Sequence, residues 1–197
     1  MAKPFDATLK SLLEASPRDW PALAGYPAAA AEVIDADVST ISGAADKVLR
    51  IPGPPPWLMH LEFQTGPDRS LPRRVHGYNA LLEDRHDLPV RSAVILLRPQ
   101  ADLANLTGVY ERQFAEEAPY LTFRYQVIRV WQLPAAPLLE GGLGTLPLAP
   151  LCAVAAGDLP SVIERMQQRL RDQRQARELW TATYVLMGLR FHQTQIN

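Results

Sequence analysis

Cysteine is nearly absent from this 197-residue chain, and the single one, Cys152, has no partner within the chain for a disulfide. A reducing compartment, the cytoplasm, is the expected home. No run approaches the roughly 18 consecutive apolar residues that would span a bilayer, and Met1-Ala2-Lys3-Pro4-Phe5-Asp6 has no apolar stretch behind its lysine. A membrane partner and a signal peptide are therefore not expected. Excess charge of one sign is lacking as well: the net charge is -1. That excludes a uniformly basic nucleic-acid coat protein but leaves room for a local basic groove. Lysine is scarce, only Lys3, Lys10 and Lys47, so arginine supplies 17 of the 20 basic residues. The guanidinium fork suits phosphate, although a GC-rich genome yields the same ratio. No 20- to 50-residue repeat occurs.

Proline is plentiful, with 18 residues that punctuate the chain. Phe5, Leu9, Leu12 and Leu13 recur at helical spacing, so a helix is expected over Phe5–Ala15. After a Pro- and Ala-rich connection, Glu32–Val38, Ala44–Ile51 and Trp57–Gln64 have strand length and composition. Leu71–Asp84 sets Val75, Tyr78, Leu81 and Leu82 on one helical face, and Val90–Leu97 is an apolar run suited to a strand covered on both sides. Leu106–Phe114 and Tyr120–Trp131 read as two more strands. Pro134–Gly157 reads as an irregular connector and Pro160–Arg190 as one or two helices broken near Arg174. The expectation is an α/β protein with a core over 1–133, a connector over 134–159 and a helical tail over 160–197 that packs on the core or on a second copy.

The chemistry concentrates around the Pro52-Gly53-Pro54-Pro55-Pro56 loop. Side chains alternate faces along a strand, so His60, Glu62 and Gln64 share one face of Trp57–Gln64. A hairpin about Pro54 pairs residues whose numbers sum to about 108, which sets Ile51 across from Trp57 and Asp46 across from Glu62. Two carboxylates that close repel unless a cation lies between them, and Mg2+ or Mn2+ is the natural one, able to activate water for attack on a phosphodiester. The same spacing also fits two solvated strand carboxylates paired with Lys47 or Arg50. Arg73 and Arg74, opening the helix after Gln64, are candidates for DNA phosphates, and a solvated face is the alternative. His60 is a possible further ligand, more often simply packed; His76, His86 and His192 lack metal-ligand spacing, and Gly141-Gly142-Leu143-Gly144 does not sit as a nucleotide loop should.

An acid on one strand, a hairpin and then Glu-x-Gln resembles the PD-(D/E)XK nuclease signature, with Asp46 and Glu62 in the places of the two acids and Gln64 in the place usually held by lysine. Phe5 to Leu13, Ala45 to Val48, His60 to Thr65 and Arg73 to Tyr78 resemble, in that order, the recombination-promoting nuclease or transposase-type family of bacteria, over roughly residues 5 to 130. The resemblance implies a restriction-endonuclease-like core of helix, three strands, helix and strand, with added strands and a C-terminal helical tail. It implies a Mg2+-dependent DNA endonuclease in which Asp46 and Glu62 hold the metal, Gln64 orients water, and Lys10 and Asp6 assist from the first helix. Glu14 is another possible ligand, and Lys47 is turned away by strand alternation. Relatives of this type continue beyond the helix around Trp180 to Arg190, which implies a shortened copy. The rival readings are an inactive nuclease-fold remnant that binds DNA or protein, and a homo-oligomer built through the C-terminal helices.

Overall fold

A computed structural model describes residues 4–34, 47–171 and 174–190, leaving out the side chains of Pro4 and Asp6. Asp46 lies outside the described residues. The chain is a mixed α/β protein that divides into two compact units, Ala30–Ile128 and Met1–Ala29 with Arg129–Asn197.

In the first of these, β1 (Glu32–Ile34), β2 (Lys47–Ile51), β3 (Trp57–Gln64), β4 (Val90–Leu96) and β7 (Gln126–Arg129) form a five-stranded sheet in the order β1-β2-β3-β4-β7. β1/β2 and β2/β3 are antiparallel, and β3/β4 is parallel. Parallel neighbours need a crossover, which α3 (Leu71–His86) supplies. The expected hairpin register holds at all five described pairs, from Ile51 opposite Trp57 to Lys47 opposite Leu61. β3 is buried from Leu58 to Phe63, as a strand covered on both faces should be. α3 stops at Asp87, which takes a left-handed conformation at φ 50° and donates its N–H to Glu83 O; aspartate tolerates that region better than most residues.

The expected strand over Tyr120–Trp131 is instead two strands in two sheets. β6 (Leu121–Arg124) pairs with β5 (Val109–Arg112) in a separate two-stranded ribbon, while β7 joins the edge of the main sheet. The break falls at Tyr125, whose N–H is taken by Gly108 O. Gly108 has φ +85°, and a Cβ there would lie 3.0 Å from Tyr125 O, so this crossing favours glycine.

The other unit holds α1 (Pro4–Ala15), α2 (Asp19–Leu23), α4 (Ala136–Glu140), α5 (Leu159–Leu170) and α6 (Ala176–Met187). The helix over Phe5–Ala15 and the break between α5 and α6 are as expected. The Pro134–Gly157 stretch is not an irregular connector. It contains α4 and a 3-10 turn over Leu146–Leu151 whose six residues are all buried, packed against α6, α4 and α5. Arg190 caps this turn, donating to Pro150 O, Cys152 O and Val154 O. Asp19 Oδ2 accepts the Gly144 N–H at 2.8 Å, and a Cβ on Gly142 would lie 1.9 Å from the Asp19 carboxylate. The glycines of 141–144 thus serve packing. The α6 face of Leu179, Ala182, Thr183, Leu186 and Met187 is buried within this unit.

Candidate functional site

The site is built by matching a helix to a strand. Every fourth residue of a helix advances about 6 Å and every second residue of a strand about 6.6 Å, so two such rows can run side by side. On α3 the row is Arg74, Tyr78 and Leu82; on β3, read backwards, it is Glu62, His60 and Leu58. Leu82 and Leu58 share an apolar cluster with Val48 and Tyr78. One step along, the Tyr78 and His60 rings meet edge to face, 5.7 Å between centroids. One step further, Arg74 Nη2 donates to Glu62 Oε2 at 3.2 Å.

Glu62 is 3% exposed and His60 fully buried, so their polar atoms need partners. They have them in one continuous chain. Asn79 Nδ2 donates to Ser92 Oγ at 3.0 Å, Ser92 Oγ lies 3.1 Å from His60 Nδ1, and His60 Nε2 lies 3.3 Å from Glu62 Oε1. The donor directions run consistently if Ser92 donates to Nδ1 and Nε2–H donates to Glu62. At the other end Arg74 Nη1 donates to Asp68 Oδ2 at 2.6 Å, and Asp68 Oδ1 accepts from Ser70 N and Oγ at 2.8 and 2.6 Å.

These contacts fix charge. Burial pushes the Glu62 carboxyl up, but hydrogen bonding and charge from His60 and Arg74 outweigh it and hold the group below its ordinary value. Asp68 is held low in the same way, its desolvation offset by Ser70 and Arg74. Arg74 is raised: desolvation is overcome by the two carboxylates. Glu62 is therefore an anion at neutral pH inside the protein.

Of the residues expected at a site, Glu62 and Arg74 are brought into direct contact. Gln64, two residues on and half-buried, turns its amide to donate to Gly66 O at 2.8 Å. Arg73 is exposed and makes no ion pair among the described residues. Lys10 and Asp6 lie on α1, in the unit of Met1–Ala29 and Arg129–Asn197. Among the described residues no group of three or more His, Cys, Asp or Glu is arranged to hold a metal ion. The arginines of α5 serve packing in their own unit: Arg165 pairs with Glu140 at 3.2 Å and Arg169 donates to Leu139 O at 2.6 Å. Cys152 is buried and its thiol is pushed up to about 12 by desolvation, so it is no nucleophile.

Sequence reasoning gave too little weight to His60 and missed Asn79, Ser92 and Asp68. The available signal was His60, Glu62 and Gln64 on one strand face with Arg74, Tyr78 and Leu82 at fourfold spacing on the following helix.

Beside this network lies a groove of about 660 Å3 between α3 and the β5–β6 ribbon, lined by Arg73, Arg74, His76, Tyr110, Arg112 and Tyr120 among others. Among the described residues no carboxylate lines it. No described helix is long and apolar enough to cross a membrane. Comparison of the chain with protein-family models, with curated proteins and with solved structures found no match.

Proposed function

We propose that the chain is a metal-dependent DNA endonuclease whose Ala30–Ile128 unit carries a restriction-endonuclease-like site. The observation that carries this reading is a buried, ionised carboxylate, Glu62, on β3, the central strand of the sheet and the second strand of a hairpin whose register is kept at every described pair. Asp46 lies outside the described residues; the hairpin spacing expected from the sequence makes it the partner of Glu62. Among the described residues the donor set is a single carboxylate with Arg74 on one oxygen and His60 on the other, so the fit of a divalent ion rests on Asp46 and on release of Arg74 from Glu62. Arg74 keeps a second partner, Asp68, for that event. A bound Mg2+ or Mn2+ would supply Lewis acidity and an activated water. The chain's own residues hold Glu62 ionised, keep its oxygens oriented from two sides and offer the Gln64 amide as a hydrogen-bonding group two residues away.

A second reading is an inactive nuclease-fold module that binds DNA or protein. It is favoured by Arg74 already neutralising Glu62 and by Gln64 facing the Gly66 carbonyl where a nuclease usually carries lysine. Plasmid nicking separates the two. Wild type should convert supercoiled plasmid to open circle in Mg2+ or Mn2+ and not in EDTA, and Asp46→Asn and Glu62→Gln should each abolish the conversion while keeping the circular dichroism spectrum. Nicking retained by both variants rejects the site; no nicking by wild type in either metal rejects the enzyme.

A further inference from the structure

We infer that the groove between α3 and the β5–β6 ribbon binds single-stranded DNA, the bases stacking on Tyr120 and Phe114 and the phosphates lying along Arg73 and Arg112. The inference deepens the DNA reading above by naming the form of substrate that reaches the site.

Three observations converge. The groove's charge is of one sign: Arg73, Arg74 and Arg112 line it and no described carboxylate does. Arg74 is already engaged by Glu62 and Asp68, whereas Arg112 is hydrogen-bonded to the Tyr120 and Tyr110 side chains and, like Arg73, pairs with no carboxylate among the described residues. Second, large aromatic surface is exposed at the ribbon's end, where Phe114 is 65% and Tyr120 62% exposed, with ring centroids 5.3 Å apart. Two neighbouring aromatic rings in water are a costly arrangement for a face with no occupant. Third, the ribbon is braced from below. Tyr110 and Arg112 share a ribbon face with Phe123 and Leu121 by register. That face rests on α3 through His76, 5.6 Å from the Tyr110 ring and 5.2 Å from the Phe123 ring. A cationic channel flanked by exposed aromatic rings on a braced ribbon matches what single strands need, since unpaired bases present their faces for stacking and duplex bases do not. The channel's volume lies within the roughly 300–1,000 Å3 of ordinary ligand sites. Arg74 ties the channel to the buried network, for it lines the groove and binds Glu62.

The test is fluorescence anisotropy in EDTA with a labelled 15-nucleotide oligothymidine and a labelled duplex of equal length. The wild type should bind the single strand at least tenfold more tightly than the duplex. Phe114→Ala with Tyr120→Ala should weaken single-strand binding about tenfold or more, as loss of base stacking does. Both side chains are exposed, so the melting temperature should stay unchanged. Arg73→Gln should reduce the log-log salt slope by about 0.7, the value for one phosphate of a single strand. Duplex binding equal to or tighter than single-strand binding overturns the inference. So does an affinity within twofold of wild type for the aromatic double variant, or equal displacement by polyglutamate of matched charge, which would mark an acidic-peptide surface. Plasmid nicking by the same preparations keeps the two readings apart: nicking without oligothymidine binding rejects the groove alone, and stacking-dependent binding without nicking in any metal rejects the nuclease alone.

Discussion

Arg74→Met removes one guanidinium and leaves a buried anion with a single remaining partner. Arg74 makes two charge-assisted contacts, 3.2 Å to Glu62 and 2.6 Å to Asp68. Each such bond contributes about 1.5–3 kcal/mol when dry. The Arg74 side chain is 36% exposed and that of Asp68 21%, so water screens the second contact and it falls toward the 0–1 kcal/mol of a surface pair. The Glu62 side chain is 4% exposed and retains only His60, so most of the loss arises there. The expected cost is about 2 kcal/mol at pH 7, below the roughly 3–5 kcal/mol of breaking a fully buried pair. Urea unfolding followed by circular dichroism reads it. Glu62→Leu combined with Arg74→Met should recover only part of the loss, because it removes the orphaned charge but leaves the buried His60 Nε2 without its carboxylate partner. A loss under about 0.5 kcal/mol for Arg74→Met, within the range of ordinary surface substitutions, would show that Arg74 does not hold Glu62 ionised.

Glu62 and Asp68 both titrate below their ordinary values, 4.5 and 3.8, so their contribution to stability is fully present above those values and is lost as the pH falls below them. Arg74→Met should flatten that acid limb in urea unfolding between pH 5 and about pH 3; an unchanged limb refutes the assignment. Removing the cation at Glu62 Oε2 should also tighten Mn2+ binding by Arg74→Gln severalfold in isothermal titration, and equal or weaker binding would show that Arg74 and the ion do not compete. In the other unit Gly142→Ala should cost about 1–3 kcal/mol because its Cβ meets the Asp19 carboxylate, and a wild-type melting curve would refute that contact.

The sheet's central hairpin was legible because two independent rules agreed on it. The proline loop left one place for the turn, and strand alternation then set every pair from Ile51–Trp57 to Lys47–Leu61. The division of Tyr120–Trp131 was not legible, since apolar and polar residues keep alternating through Tyr125 while the backbone changes sheets there. Pro134–Gly157 was misread because its prolines and glycines suppress the 3.6-residue period. Yet Leu146, Leu148 and Leu151 are all buried in a 3-10 turn. At the candidate site, the partners of Glu62 come from α3, β4 and the loop before α3, and only the packed rows of helix and strand reveal them. Arg73 and Arg74 read alike from the sequence, as candidates for DNA phosphates or as a solvated face, but the two point into different surroundings, one paired with carboxylates and the other exposed.

The polar end of the β3 row needs a reason beyond stability. Leu58 and Leu82 show that the same helix and strand pack well with apolar side chains, and replacing a buried ion pair by such residues is often neutral or stabilising. The polarity is concentrated toward one end. His60, Glu62 and Gln64 run from the middle of β3 to its C-terminal end, with Glu62 beside Val94 and Gln64 beside Leu96 on the parallel neighbour β4. Strand ends of this kind are where open α/β sheets place their ligands. At that same end stand the first turns of α3, which carry Arg73 and Arg74 into the groove. A carboxylate kept ionised at the C-terminal end of a central strand, clamped by an arginine that also lines a cationic groove, is an arrangement that a purely structural row of leucines would not require. Such an arrangement lets an anion in the groove compete with Glu62 for the Arg74 guanidinium, and a cation compete with that guanidinium for the Glu62 carboxylate.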